Sequence, residues 1–367
     1  MITSISGQGK ALQILSNTIR SNKIANGYIF YGPKGVGKFT VALEFVMAIN
    51  CKSTNKPCYK CDTCKKIKNF NHPDLIYIFP MPNLGIAIDG NIKKQEYLKE
   101  ISLYKKNRIE TPYKEFYFSS NTSIRLDAIH MIQHMTNISK NEATKKVVLI
   151  EDCDQMNLSA ANAFLKTLEE PTDDVVIIMV TSNIKRCLPT IVSRCQRIPF
   201  YSLSESIIKN QLIKRYGVEN LKARTIAKLS SGNMERAINN ISIKHSQPKE
   251  FTQKLLENAI EKNDFQFLQL IAKSPIRKEP DWLGDVLNYL LIWFFDITVF
   301  YVNRDSLINS DQTQLIEKII KRAPKLYRDS NEIISQIEKI KILLKNNNIN
   351  PVLAINSVYS KISKLVD

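Results

Sequence analysis

The chain has 367 residues, 44% hydrophobic and 24% charged, the balance of an ordinary globular protein, and its length points to two or three domains. A formal net charge of +17 suits a phosphate-rich partner, and it suits equally a lysine-rich composition spread through the whole sequence, so charge alone names no partner. No basic-then-apolar leader opens the sequence, and the longest apolar run (289–302) is too short to span a bilayer and contains Asp296, so a cytoplasmic protein with no membrane association is expected.

In chain order, an apolar-periodic helix over 8–21 precedes a short strand, GYIFYG (27–32), a glycine-rich loop and a buried helix, TVALEFVMAIN (40–50). The loop reads Gly32-Pro33-Lys34-Gly35-Val36-Gly37-Lys38, the G-x-x-x-x-G-K spacing between strand and helix. Backbone N–H groups of such a loop form a nest for phosphate, and the lysine neutralises β/γ-phosphate charge. The next position, where a hydroxyl would hold Mg²⁺, is Phe39. Thr40 follows, rotated by about 100° on a helix, so its hydroxyl is expected to point elsewhere. A phosphate cradle without a metal anchor is the expectation, which argues against ATP and Mg²⁺ as working ligands of this site.

Cys51, Cys58, Cys61 and Cys64 come next. Four thiolates at these spacings fit a closed tetrahedral Zn²⁺ site, and KKIKNF after Cys64 lacks what an iron–sulfur motif needs. With no open ligand position the site is expected to be structural. A strand, DLIYIFP (74–80), then leads into a weakly patterned insertion (83–120) with a charged helix (92–107) and an aromatic segment, YKEFYF (113–118).

An amphipathic helix (123–139), a buried strand ending in acids, KKVVLIEDCD (145–154), a helix stopped by Pro171, LSAANAFLKTLEEP (158–171), and another buried strand, DVVIIMVTSN (174–183), follow. Alternating strands and helices with continuous β-branched runs predict an α/β fold whose parallel sheet is covered on both faces. After Phe200 only helices are expected, with Trp282, Trp293, Phe294 and Phe295 as core residues and a low-complexity stretch, KNNNIN (345–350).

Three further places carry candidate chemistry. A hydrolytic site wants a short Asp near Mg²⁺ and a longer Glu to orient water; Glu151 and Asp152 have these lengths in the opposite order. A solvated acidic turn fits them as well. Thr181, Ser182 and Asn183 end a strand at the edge where ligands bind in parallel sheets. Arg194 follows a short apolar helix, and the isolated segment suits a surface salt bridge.

Taken in order, GPKGVGK, the four cysteines, NHPDL, SIRLDAI, NAFLKTLEEP, TSN and IVSRC resemble bacterial clamp-loader subunits of the AAA+ class over residues 5–245. The resemblance implies an AAA+ domain (1–200) with a zinc module (51–64), a helical lid (201–245) and an all-α collar (246–367). It implies a hetero-pentameric ring with gamma/tau and delta subunits of the DNA polymerase III clamp loader, which places the beta sliding clamp on primed DNA. In such a ring Arg194, between Ser193 and Cys195, would reach a neighbour's ATP as an arginine finger, and Thr181, Ser182 and Asn183 would be the polar sensor. At the second sensor Glu235 stands where an arginine is usual, and Arg236 follows it. The departures all fall on this chain's own nucleotide site, the pattern of a stator whose own ATPase is absent or very weak. The alternative is an active gamma/tau-type ATPase.

Overall fold

The computed structural model describes residues 6–92, 94–112, 116, 118–170, 174–239, 241, 247–277, 280–302, 304, 307, 309, 312–345 and 349–366. The expected helix stop at Pro171, most of YKEFYF and residues 346–348 of KNNNIN lie outside these. By its contacts the chain divides into two compact units, Met1–Gly217 with Ser230–Asn239, and Val218–Leu229 with Asn240–Asp367.

The first unit begins with α1 (Gly9–Ser21), β1 (Gly27–Tyr31) and α2 (Lys38–Asn50), followed by α3 (Asp62–Lys68), β2 (Leu75–Ile78), α4 (Leu98–Glu110) and α5 (Leu126–Asn137). It continues through β3 (Lys146–Ile150), α6 (Leu158–Glu169), β4 (Val175–Thr181), α7 (Pro189–Ser193), β5 (Gln196–Pro199) and α8 (Glu205–Tyr216). The next helix, α9 (Asn220–Leu229), belongs to the second unit, and α10 (Met234–Asn239) returns to the first.

Every residue of β3 and β4 is buried, and the five strands run in parallel in the order β2-β3-β4-β1-β5. Alternate side chains enter opposite layers, as the two-residue period of a strand requires. Tyr28, Phe30, Val147, Leu149, Val176 and Ile178 pack with Leu15 of α1, Phe45 of α2 and Ile67 of α3. Ile29, Val148, Ile150, Ile177 and Met179 pack with Ile101 of α4, Ile129 of α5, Phe164 of α6 and Ile191 of α7. The α/β class with a doubly covered parallel sheet is therefore what the sequence predicts, and the loops at the carboxyl ends of the strands are left to build a site.

The second unit is all helix: α9, α11 (Gln247–Ile260), α12 (Asp264–Lys273), α13 (Pro280–Val299), α14 (Thr313–Arg322), α15 (Pro324–Arg328), α16 (Ser330–Lys345) and α17 (Pro351–Lys364). Its centre is α13, which packs on α11 and α16 and buries Leu283, Leu287, Leu290, Trp293, Phe294 and Ile297. The helix starts earlier than the apolar run suggests, because Asp285 and Asn288 interrupt the hydrophobic pattern without breaking the helix. Its window Trp282–Val299 is long and apolar enough to cross a membrane, yet 61% of that window is buried inside the protein. Asp296, fully buried, accepts hydrogen bonds from the Asn309 backbone N–H at 2.8 Å and side-chain amide at 2.9 Å. One expected core residue is not in the core: Phe295 is 39% exposed. Three successive aromatic residues on a helix span 200°, more than one buried face can take.

Candidate functional site

The loop after β1 is shaped by glycine where nothing else fits. Gly32 has φ +146°, and a Cβ there would lie 2.2 Å from the Phe200 carbonyl oxygen. Gly35 has φ +68°, with Asn233 Oδ1 only 1.7 Å from where its Cβ would be, and its carbonyl accepts from the Met234 N–H at 2.9 Å. The start of α10 thus rests on the loop. Gly37 caps α2 in the left-handed region, and Val36 is buried beneath. The loop borders a cleft of about 250 Å³, just under the range of roughly 300–1,000 Å³ usual for small-molecule sites.

Lys38 does not reach into that cleft as a free charge. Its ammonium donates to the Gly32 carbonyl at 2.8 Å, the Pro33 carbonyl at 2.6 Å and Ser182 Oγ at 3.3 Å. Burial lowers its pKa to about 8, against the pull of Asp152, Asp154 and Glu235. Lys34, at the cleft wall, is the more open cation of the loop.

The Phe39 ring joins an aromatic cluster, 6.1 Å from Phe70 and 5.6 Å from Tyr77 between centroids. Over its face lies the Arg108 guanidinium of α4, 4.5 Å from the centroid, within the range of a cation–π contact. Arg108 is ion-paired with Glu151 and also donates to the Pro112 carbonyl at 2.6 Å. Tyr77 and Tyr104 both donate to Glu151 Oε2, at 2.5 and 2.9 Å. Glu151 is therefore no part of a solvated acidic turn: it is 4% exposed, and the insertion has closed over it. Thr40 borders the cleft beside Phe39, on the first turn of α2.

Asp152 sits at φ +47°, lining the cleft, with its pKa raised by burial and by Asp154 beside it. Thr181 donates to Asp154 Oδ1 at 2.5 Å and accepts from the Asn183 N–H at 2.9 Å, so the strand end is fastened to the turn after β3. Glu235 lines the cleft, whereas Arg236 is exposed and does not. Three cations (Lys34, Lys38, Arg108) and three acids (Glu151, Asp152, Glu235) thus line the same cleft and cancel formally. Arg108 and Tyr104 line the cleft and Tyr77 and Asp154 brace its walls, and motif reading misses all four. A usable signal existed: Tyr104 and Arg108 stand four apart on a helix, hence on one face.

Arg194 is elsewhere. It caps the C-terminus of α7, exposed, donating to the Thr190 carbonyl at 2.9 Å and to Glu169 Oε1 of α6 at 2.7 Å. Its neighbours Ser193 and Cys195 are exposed and buried respectively.

The four cysteines converge between α2 and α3. Cys51 ends α2, Cys61 caps α3, and the four sulfur atoms lie within 4.8 Å of one another. Tetrahedral zinc with Zn–S bonds of about 2.3 Å needs sulfurs about 3.8 Å apart; Cys58 and Cys64 stand at 4.0 Å. The Cys61 and Cys64 N–H groups donate to Cys58 Sγ and Cys61 Sγ, each at 3.4 Å, a pattern that favours thiolates. Hydrogen bonds from the Cys61 and Lys60 backbone pull the Cys58 pKa down to about 6, while burial pushes Cys64 up. These residues can hold a metal ion.

A family model described as DNA polymerase III, delta subunit, matches residues 7–204, more than half of the chain. The chain is 28% identical over 345 residues to the DNA polymerase III subunit delta' of Bacillus subtilis, covering 93% of this chain and 92% of that protein. The subunit delta' of Pseudomonas aeruginosa is 27% identical over 284 residues, covering 75% of this chain and 71% of that protein. The subunit tau of Bacillus subtilis is 27% identical over 239 residues, covering 63% of this chain but 35% of that protein. The chain belongs to the DNA polymerase III delta-subunit family, and it is similar along nearly its whole length to a delta' subunit.

Proposed function

We propose that the chain is a delta'-type stator of a clamp-loading ring: it completes a neighbour's ATP site with Arg194 and leaves its own site idle. The observation that carries this is the contrast between Arg194, exposed on an exchangeable surface pair, and Arg108, a cation of the cleft already held by a buried carboxylate. An exposed pair such as Arg194–Glu169 is worth only about 0–1 kcal/mol, so a phosphate brought by a neighbour can compete for the guanidinium. Gamma/tau-type and delta-type subunits are the ring partners, the beta clamp and primed DNA are reached through the ring, and the setting is the cytoplasm. The three-part division into sheet domain (1–200), lid (201–245) and collar (246–367) belongs to the same reading, although by contacts alone α8 and α10 group with the sheet and α9 with the second unit.

The test is reconstitution with tau-type and delta-type subunits of the same organism, scored for ring assembly and DNA-stimulated ATP turnover. Assembly with turnover that depends on Arg194 is expected. Turnover by the isolated chain at ~1 per second or faster, the range of a working enzyme, would overturn the stator reading in favour of an active ATPase.

The metal of the cysteine cluster is structural Zn²⁺ in this reading, held by Cys51, Cys58, Cys61 and Cys64. Elemental analysis of reduced protein should find one zinc per chain; iron, or no metal, refutes it. Cys61→Ser should lose the metal and loosen 51–64 while leaving the sheet folded, since the layer on the sheet's other face packs without any of the four cysteines.

A further inference from the structure

In working phosphate-loop enzymes the metal bridges two places: the hydroxyl after the loop lysine and an acid at the end of the neighbouring strand. Here those places are Phe39 and the Glu151-Asp152 pair. A cation does bridge them. The Arg108 guanidinium lies 4.5 Å over the Phe39 ring and is ion-paired with Glu151, and its side chain is only 16% exposed. We propose that Arg108 is a resident cation in place of the metal, and that α4 is thereby a plug that shuts this cleft against magnesium-nucleotide.

Each surrounding residue fits that role. An aromatic ring at position 39 cannot ligate a metal, but its face attracts a guanidinium. The planar fork of arginine carries five donors in fixed directions, so one group can meet Glu151 and the Pro112 carbonyl together. Tyr104, one turn earlier on α4, adds a hydrogen bond to the same carboxylate and stacks on Phe79 at 4.3 Å. Phe118, beyond the helix, lies 5.4 Å from Tyr104 and 6.2 Å from Phe79 and closes the aromatic wall. Lys38, its donors spent on loop carbonyls and Ser182, is left with the loop itself as its partner. The loop keeps its nest of backbone N–H groups; what keeps phosphate out is a side chain from the insertion, and a side chain can be removed.

The inference rests on reading the cleft as a retired nucleotide site. Its test is ATP binding by the full chain, by titration calorimetry with and without Mg²⁺. The unaltered chain should show no binding up to millimolar ATP. Arg108→Ala combined with Glu151→Gln removes the plug without stranding a buried charge, and should gain affinity by ~10-fold or more, a calorimetrically clear change. Adding Lys38→Ala should abolish the gain. A double variant that is folded by circular dichroism but binds ATP no tighter than the unaltered chain overturns the proposal. So does weaker binding in the variant, which would make Arg108 a phosphate ligand, and so does micromolar binding by the unaltered chain. Hydrogen exchange needs no variant: backbone amides of 98–110 should be protected in the unaltered chain, and free exchange there also overturns the plug. Ring assembly tests the clamp-loader reading separately, since the ring can form whether or not the variant gains nucleotide.

Discussion

The loop cleft and the Arg194 corner are built on one parallel sheet and treat their arginines in opposite ways. Arg108 is enclosed by Phe39, Tyr77 and Tyr104 and paired with a carboxylate that is itself buried. Arg194 is paired with an exposed carboxylate on the outer end of α6. A buried pair is hard to exchange, because removing one partner strands the other in a poor solvent; an exposed pair is readily exchanged. The first geometry holds a structure still and the second leaves a charge available. The same residue type is thus enclosed in one place and exposed in the other, and burial is what separates them.

The widest separation between the two should come from Arg194→Ala. An arginine supplied in trans can contribute about 10³–10⁵ in rate by offsetting charge on the γ-phosphoryl oxygens. If Arg194 is such a finger, the variant should fold, leave the cysteine cluster unchanged and still assemble with clamp-loader partners, while DNA-stimulated ATP turnover and clamp loading fall steeply. A mutant ring working at the unaltered rate would reduce Arg194 to a surface residue and erase the contrast.

The second test concerns pH and the closed site. Lys38 has a folded pKa of about 8, below its usual 10.5, because burial disfavours its charge. Between those values the unfolded chain binds more protons than the folded one, so this group makes stability rise as pH increases from about 8 to above 10. The full shift corresponds to roughly 3–4 kcal/mol. Chemical denaturation of the unaltered chain and of Lys38→Met across this range should show the rise in the first and its loss in the second. An identical slope in both would mean that the ammonium is well solvated and the cleft more open than described.

Smaller effects should follow at the open corner. Glu169→Gln breaks the pair with Arg194 and should change stability by less than about 1 kcal/mol. Ring turnover should hold or rise slightly, because the guanidinium has one competitor fewer; a collapse in turnover would show that Glu169 positions Arg194. The smallest effect is expected for Phe39→Thr, which should leave ATP hydrolysis by the isolated chain at its background level. The hydroxyl it restores faces Arg108, and Glu151 is already engaged.

The sheet was legible in the sequence because continuous β-branched runs such as VVLI and VVIIMV have few other uses, and the phosphate loop because its glycines stand where no Cβ fits. The cysteine cluster was legible from spacing alone. What escaped was everything decided by long-range contact. The insertion over 83–120 reads as a charged helix and scattered aromatics, and nothing local says that Arg108 returns to a carboxylate 43 positions later. The order of Glu151 and Asp152 speaks only to side-chain length beside a metal or to a solvated turn, whereas the partners of Glu151 are Tyr77, Tyr104 and Arg108. Which helices of 201–245 group with which compact unit was equally illegible, since a helix shows which face is apolar but not which neighbour covers it. Phe295 failed for the reverse reason: an apolar run longer than one helical face must leave something outside, here beneath Lys228.

The placement of the two tryptophans gives the molecule an optical asymmetry. Trp282 and Trp293 are the chain's only tryptophans, and both are buried on α13 in the all-helical unit. Both rings belong to the hydrophobic core of that unit, and neither indole N–H has a hydrogen-bond partner among the described residues. Excited at the red edge, where tyrosine is dark, the protein should emit at short wavelength and report on that unit alone, blind to the sheet and its cleft. A denaturation curve followed by this emission and one followed by far-ultraviolet dichroism coincide only if the two units unfold together. Their divergence would measure, without any label, how independently the half that carries the two arginines stands from the other.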